Sequence, residues 1–213
     1  METGKIIFFA TATLLQIITE ISSAVIPSTC IKPSAISILQ NPCDDHVDKV
    51  KPAAENRTLN LIGQQAGDLR VHTKSALDIV NKERYHSPNP DLTILFPESV
   101  QDVSTNTTQI KHTMESVFLY VDQMINREKK LQIKSEIPDI LCNINRIIVK
   151  ILCNLYRMGA TEEIALQDRA ELIKASVKVP SPHYNFTFKE LFQRFHGFLC
   201  ELMKHGGVQS SQC

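Results

Sequence analysis

Four stretches with helical periodicity, separated by one short and two long gaps, constrain the fold of this chain more than any other feature. Apolar residues recur at spacings of three and four over about 55–83, 106–130, 138–158 and 186–204. The gaps between them span roughly 22, 7 and 27 residues. A helix of about 25 residues is about 37 Å long, and an extended chain covers at most about 3.3–3.6 Å per residue. The short gap therefore forces its two helices antiparallel, whereas each long gap can return along a whole helix.

These gap lengths predict an all-α fold, a long-chain four-helix bundle whose helices run up, up, down and down with two long crossover loops. The third stretch begins at Pro138 and ends at Gly159, and the fourth stops at Gly206 and Gly207. The residues predicted to face the core share one stripe on each helix. They are Ile62, Ala66, Leu69, Thr73, Ala76, Leu77 and Val80; Ile110, Met114, Val117, Val121 and Met124; Ile140, Leu141, Ile144, Ile147, Ile148, Ile151, Leu152 and Leu155; and Phe188, Leu191, Phe192, Phe195, Phe198, Leu199, Leu202 and Met203.

The first 24 residues have the layout of a secretory signal peptide. A short, positively charged start (Met1–Lys5) precedes an apolar run from Ile6 to Ile18 and small residues up to Ala24. A membrane anchor is the alternative, but an apolar run of about 13 residues falls short of the ~20 needed to span a bilayer. We predict cleavage near Ala24 and a secreted, extracellular protein with one domain over 25–213.

Charge and motif content narrow the function classes. The chain has 23 basic and 23 acidic residues, with no basic stripe for a nucleic acid and no polybasic tail for a lipid surface. We find no G-x-S-x-G elbow, P-loop, G-x-G-x-x-G or H-E-x-x-H, and the seven histidines are scattered. We therefore predict a monomer that is not an enzyme, holds no metal or other cofactor, and inserts into no membrane.

Six cysteines and three sequons fit a secreted chain. The cysteines Cys30, Cys43, Cys142, Cys153, Cys200 and Cys213 allow about 15 full pairings, among which the sequence does not choose. The sequons make Asn56, Asn106 and Asn185 candidate glycosylation sites. Asn106 and Asn185 fall where helices are expected to begin, so helix capping is the alternative role for both.

Phenylalanine is concentrated in the fourth stretch, where five of the nine lie between Phe186 and Phe198. Five rings at these positions wrap more than half of a helix, so at least one should face outward or cap the end of the bundle. An exposed aromatic beside a charge is typical of a binding hot spot. Phe186 with Lys189 is the best candidate, because residues three apart share a face. The alternative is that Phe186 packs under the preceding loop.

Several patches of sequence, in order, are similar to one cytokine family. Leu61–Gln64, Asp68-Leu69, Thr73 and Leu77-Asp78 are similar to the first helix of oncostatin M. Phe96-Pro97, Tyr120-Val121 and Asn126-Arg127 resemble parts of the second helix region of leukaemia inhibitory factor, and Asp139–Leu141 with Ile151–Cys153 resemble its third helix. The chain thus resembles the leukaemia inhibitory factor / oncostatin M / ciliary neurotrophic factor branch of the interleukin-6 family, over most of 41–204.

The resemblance implies a function and two sets of site residues. Phe186-Thr187-Phe188-Lys189 matches the family's Phe-x-x-Lys anchor for a receptor of the leukaemia inhibitory factor type. Exposed faces of the first and third helices would meet the shared signal-transducing subunit, and receptor kinases inside the cell would respond to the proximity of the two receptor ectodomains. The resemblance also implies a disulfide between Cys43 and Cys153. It leaves the pairing of Cys30, Cys142, Cys200 and Cys213 open, and a glycan on Asn185 would crowd Phe186.

The Phe-rich fourth helix also keeps a second class of function open. A secreted helical carrier, held by its cysteines, would use such rings to enclose a lipid or another apolar ligand. That hypothesis predicts a cavity and an extractable small molecule.

Overall fold

The computed structural model describes residues 35–43, 55–83, 107–131, 136–160, 170, 173–174, 181–209 and 213. The helices over these residues are α1 (Ala35–Gln40), α2 (Glu55–Glu83), α3 (Thr107–Leu131), α4 (Ile137–Arg157) and α5 (Ser181–His205). No strand occurs in the described part of the chain, so the expected all-α class is confirmed. The predicted signal peptide, Cys30 and Asn106 lie outside the described residues.

The ends of α4 and α5 share one backbone geometry. At the end of α4, Gly159 has a φ of 91° and its N–H donates to Tyr156, while the N–H of Ala160 donates to Leu155. At the end of α5, Gly207 has a φ of 71° and donates to Lys204, while Val208 donates to Met203. This is the Schellman arrangement, in which a residue with positive φ lets the chain satisfy the last carbonyl groups. The helix ends predicted at Gly159 and at Gly206-Gly207 are therefore confirmed, with Gly159 and Gly207 as the residues of positive φ.

Two features of the helices differ from the expectation. The helix α5 begins at Ser181, five residues before the predicted start at 186. Pro182 follows Ser181, and proline in a first turn needs no hydrogen-bond partner for its nitrogen. The helix α1 was not expected, because its six residues are too few for periodicity to be seen. It buries Leu39 and packs against α3 and α4.

Each of the four long helices packs against particular neighbours. The most extensive contact joins α2 to α5, and α3 packs on α4, which in turn packs on α2. Their facing sides carry the predicted stripes, except that Leu77, Ile140 and Ile147 are partly exposed. The largest fully buried side chains share the interior of these contacts. They are Tyr120, Tyr184, Phe188, Phe192, Phe195, Ile62, Leu69, Met114, Leu119, Met124, Ile137 and Leu141.

The α2–α5 contact is closest where two glycines face each other. A Cβ added to Gly63 would lie 2.8 Å from the Cα of Gly206, so the two backbones touch without intervening side chains. Asn60 Nδ2 donates a 3.0 Å hydrogen bond to the carbonyl oxygen of Gly206. One turn further along α2, Gly67 faces Met203, which precedes Gly206 on α5. The contacts run in opposite order along the two helices, which are therefore antiparallel.

Two pairs of cysteines at disulfide distance link segments outside the long helices to α4 and α5. Cys43 and Cys153 lie at disulfide distance with their Cα atoms 5.0 Å apart, which is the pair that the resemblance implies. Cys200 and Cys213, whose pairing the sequence leaves open, form a second such pair with Cα atoms 5.6 Å apart. Cys142 is also disulfide-bonded. No free cysteine occurs among those described.

We expect Gly63→Ala to lower the free energy of unfolding by about 1–3 kcal/mol, because the new methyl group must push the two backbones apart. Gly67→Ala is the matched control on the same helix, since its Cβ would meet Met203 Cε at an ordinary 3.6 Å. That change should be neutral or stabilise by up to about 1 kcal/mol, the difference in helix propensity. Urea unfolding of both variants measures the effects. Equal changes in both would contradict this account of the seam, the contact between α2 and α5.

Removing either disulfide should destabilise the protein, and removing the one that closes the longer loop should do so more. The Cys43–Cys153 pair spans 110 residues and the Cys200–Cys213 pair 13. In the chain-entropy model, loops of about these sizes correspond to about 4–5 and about 3 kcal/mol. Urea unfolding of the two double Cys→Ala variants tests the order, after non-reducing peptide mapping of the wild type. Recovery of Cys43 or Cys200 in a different linked peptide would refute the pairing.

Candidate functional site

Phe186 and Lys189 lie in the second and third turns of α5, and both side chains are partly exposed. Phe188, between them, is fully buried. Successive residues on a helix are about 100° apart around its axis, so Phe186 and Lys189 share a face that Phe188 does not. The structure thus brings the two residues of the predicted pair to one partly exposed face of α5.

The other rings of α5 fill the core. Phe188, Phe192 and Phe195 are fully buried, and Phe198 is nearly so. The ring centroids of Phe188 and Phe192 are 4.6 Å apart, and those of Phe195 and Phe198 are 6.1 Å apart. Of the five phenylalanines in this helix, Phe186 is therefore the one that is partly exposed.

Tyr184, two residues before Phe186 in the sequence, makes a polar contact that the sequence did not predict. The hydroxyl of Tyr184 donates a 2.9 Å hydrogen bond to Glu128 Oε1 of α3, and both residues are 2% exposed. The guanidinium carbon of Arg127 lies 4.1 Å from the centroid of the Tyr184 ring. Only the pairing of two helices far apart in the chain creates this contact, so no local signal in the sequence predicts it.

The sequon at Asn185 lies inside α5, four residues after the helix begins. The capping role considered for Asn185 is therefore wrong, because a capping residue stands at the helix end. Asn185 is partly exposed, while the sequon's Thr187 is 1% exposed. Asn56 lies in the first turn of α2. A glycan on Asn185 would project from the turn that carries Phe186.

A second candidate surface lies on α2 and α4. The large apolar side chains that remain exposed are Leu61 (44%), Val71 (57%) and Tyr156 (44%), among the residues described. Asn154 Nδ2 of α4 donates a 3.0 Å hydrogen bond to Gln65 Oε1 of α2, which brings the two helices together near Leu61 and Tyr156. Leu61 and Tyr156, on two adjoining helices, are a candidate protein-binding surface, whereas Val71 lies ten residues, about 15 Å, further along α2.

His196 of α5 lies near two basic side chains of α2. Partial burial lowers the pKa of His196 below its usual value, and the nearby positive charges of Arg70 and Lys74 lower it further. In contrast, burial raises the pKa of Asp122 on α3, an effect that Lys129 partly offsets. Neither group adjoins Phe186 in the sequence, and neither belongs to a catalytic arrangement that we can identify.

Two findings bear on small ligands in the described part of the chain. No group of histidine, cysteine and acidic side chains there has the geometry to hold a metal ion. A hollow of about 640 Å³ lies beyond the end of α5, lined by Met203, Lys204, Val208 and the Cys200–Cys213 pair among others. It opens at the opposite end of α5 from Phe186, and the buried rings contact one another instead of lining it.

No helix over the described residues is long and apolar enough to cross a membrane. Comparison with protein-family models, with curated proteins and with solved structures gives no match. Function must therefore be inferred from the sequence and the geometry of the chain itself.

We expect Asn185 to be unmodified in the folded, secreted protein, because a glycan added before folding would have to be accommodated on a partly buried asparagine inside α5. Peptide mapping after enzymatic deglycosylation in heavy-oxygen water reports occupancy at each asparagine. Asn56, in the first turn of α2, serves as the internal comparison. A label on Asn185 at high occupancy would contradict the expectation and would place a glycan beside Phe186.

Proposed function

We propose that this protein is a secreted helical cytokine that signals by bringing two class I cytokine receptor ectodomains together. One would be a receptor of the leukaemia inhibitory factor type and the other the shared signal transducer of the interleukin-6 family. The protein itself would act without chemistry and without a cofactor. The observation that carries the proposal is the position of Phe186 and Lys189, which share a partly exposed face of a helix whose other aromatic rings are buried.

The helix contacts support an up-up-down-down bundle as its architecture. The start of α2 contacts the end of α5 through Gly63 and Gly206, so these helices are antiparallel. The contact between Glu128, near the end of α3, and Tyr184, near the start of α5, supports the same relation for that pair. If α2 and α3 both oppose α5, they are parallel to each other, and parallel neighbours in sequence need long crossover connections.

The disulfides support an extracellular setting. Disulfides persist in oxidising compartments and are rare in the cytosol. All cysteines among the described residues are paired, including Cys142. The signal peptide predicted over 1–24 would deliver the chain to such a compartment.

The two candidate surfaces support two separate receptor contacts. Phe186 provides an aromatic group and Lys189 a charge, a combination that resembles the hot spots of protein interfaces. Leu61 and Tyr156 provide exposed apolar area on α2 and α4, the helices that the resemblance assigns to the shared subunit. The polar contact between Gln65 and Asn154 would keep that second surface in one arrangement.

The carrier hypothesis has less support. Its predicted ligand would need space among the aromatic rings, and the rings of Phe188 and Phe192 contact each other at 4.6 Å. Native mass spectrometry of the purified protein still separates the two hypotheses. A small molecule bound at one-to-one stoichiometry would favour the carrier.

We expect Phe186→Ala and Lys189→Ala each to abolish binding to the receptor of the leukaemia inhibitory factor type. Truncating a hot-spot residue costs about 2 kcal/mol or more, which weakens binding by at least about 30-fold. Both side chains are partly exposed, so thermal stability should be nearly unchanged. Surface plasmon resonance with the receptor ectodomain measures binding, and Lys204→Ala, which removes an exposed lysine at the other end of α5, is the matched control.

The second surface provides a crossed test. Leu61→Ala combined with Tyr156→Ala should weaken binding to the shared subunit and leave binding to the first receptor intact.

Normal signalling by Phe186→Ala and Lys189→Ala would refute the site assignment. If the wild type binds none of the ectodomains in a panel of class I cytokine receptors, the proposed function itself is refuted.

A further inference from the structure

Tyr184 is held from several sides at the point where α5 meets the end of α3. Its hydroxyl donates to the buried Glu128, its ring faces the Arg127 guanidinium, and its edge contacts Phe188 with centroids 6.1 Å apart. Glu128 and Arg127 are neighbours in sequence near the end of α3. A single side chain near the start of α5 is thus anchored to two consecutive residues of another helix.

The contacts of Tyr184 with Glu128 and Arg127 fix the rotation of the first turns of α5. Tyr184, Phe188 and Phe192 recur every four residues and are all buried. Phe186 follows Tyr184 by two residues and so points about 200° around the helix axis from it. As long as Tyr184 stays in its buried position, Phe186 and Lys189 must lie on the outer side of the helix. A helix end without such an anchor frays, because its first N–H groups lack partners within the helix.

We propose that Tyr184 is a positioning residue for the receptor-binding pair Phe186 and Lys189, acting through its hydrogen bond to Glu128. This inference rests on the proposed function, and it adds a residue that itself makes no receptor contact. The buried hydroxyl-to-carboxylate bond keeps the first turns of α5 helical in the free protein. The receptor then meets a preformed face, without the entropy loss of ordering it on binding.

Removing only the hydroxyl isolates this role. In Tyr184→Phe the ring remains to fill its place, whereas the Glu128 carboxylate loses the donor. If the first turns of α5 are then ordered for only part of the time, the apparent affinity falls by the competent fraction. We expect binding to the leukaemia inhibitory factor type of receptor to weaken about two- to tenfold, with binding to the shared subunit unchanged.

Hydrogen exchange of the unbound protein provides a readout that needs no receptor. Amides over 184–190 should exchange faster in Tyr184→Phe, while those of the central part of α2, over 66–80, should not change. Thr73→Val is the matched control, because it removes another fully buried hydroxyl, which donates to the Leu69 carbonyl oxygen at 2.9 Å. It should leave both receptor affinities and exchange in α5 as in the wild type. Glu128→Gln retains an oxygen that can accept from Tyr184 and should behave nearly as the wild type.

The outcomes separate this inference from the proposed function. Unchanged exchange over 184–190 in Tyr184→Phe, or an equal increase in every helix, overturns the positioning role. A local increase in exchange with unchanged receptor affinity overturns it as well. If Phe186→Ala and Lys189→Ala bind the receptor normally, the proposed site fails on that result, whatever Tyr184→Phe does to exchange.

Discussion

The seam between α2 and α5 is the contact on which the other features of this structure depend. At one end it lets two backbones touch at Gly63 and Gly206, with Asn60 donating to the Gly206 carbonyl oxygen. On α5, Phe188, Phe192 and Phe195 have no exposure. Burial of a Phe side chain contributes about 1.5–3 kcal/mol, so this side of α5 is strongly committed to the core. The outward side of α5 is determined as a consequence.

The burial of α3 decides which helices can offer surfaces to partners. Nine consecutive residues of α3, over 113–121, are buried, although a helix packed on one side would alternate buried and exposed positions. Even Glu115 in this stretch is 2% exposed. Exposed positions recur instead along α2, α4 and α5, where Leu61, Tyr156 and Gln193 are examples. The proposed assignment of receptor contacts to α2, α4 and α5 agrees with this distribution, and α3 serves chiefly as a support.

The sequence predicted what depends on local periodicity and missed what depends on distant pairing. Stripes at spacings of three and four gave the four long helices, because one face of each must be buried for the chain to fold. The start of α5 was misplaced, although Ser181 and Pro182 carry a recognisable signal for a first helical turn. The contact of Tyr184 with Glu128 joins residues 56 positions apart, and no property of either neighbourhood identifies the other. The same holds for the pairing of Cys200 with Cys213, since six cysteines allow about 15 combinations.

Under the proposed function, the seam also determines the geometry between the two receptors. The surface with Phe186 belongs to α5, and the surface with Leu61 belongs to α2, so the relative orientation of the bound receptors follows from how these two helices pack. A contact through interposed flexible side chains could shift by small rotations, whereas direct backbone contact at Gly63 and Gly206 leaves little room to move. The anchor at Tyr184 adds the same constraint at the other end of α5, where Glu128 and Arg127 hold it to α3. A ligand that acts only by arranging two partners needs such fixed surfaces, because any freedom between them would be lost on binding and would weaken the complex.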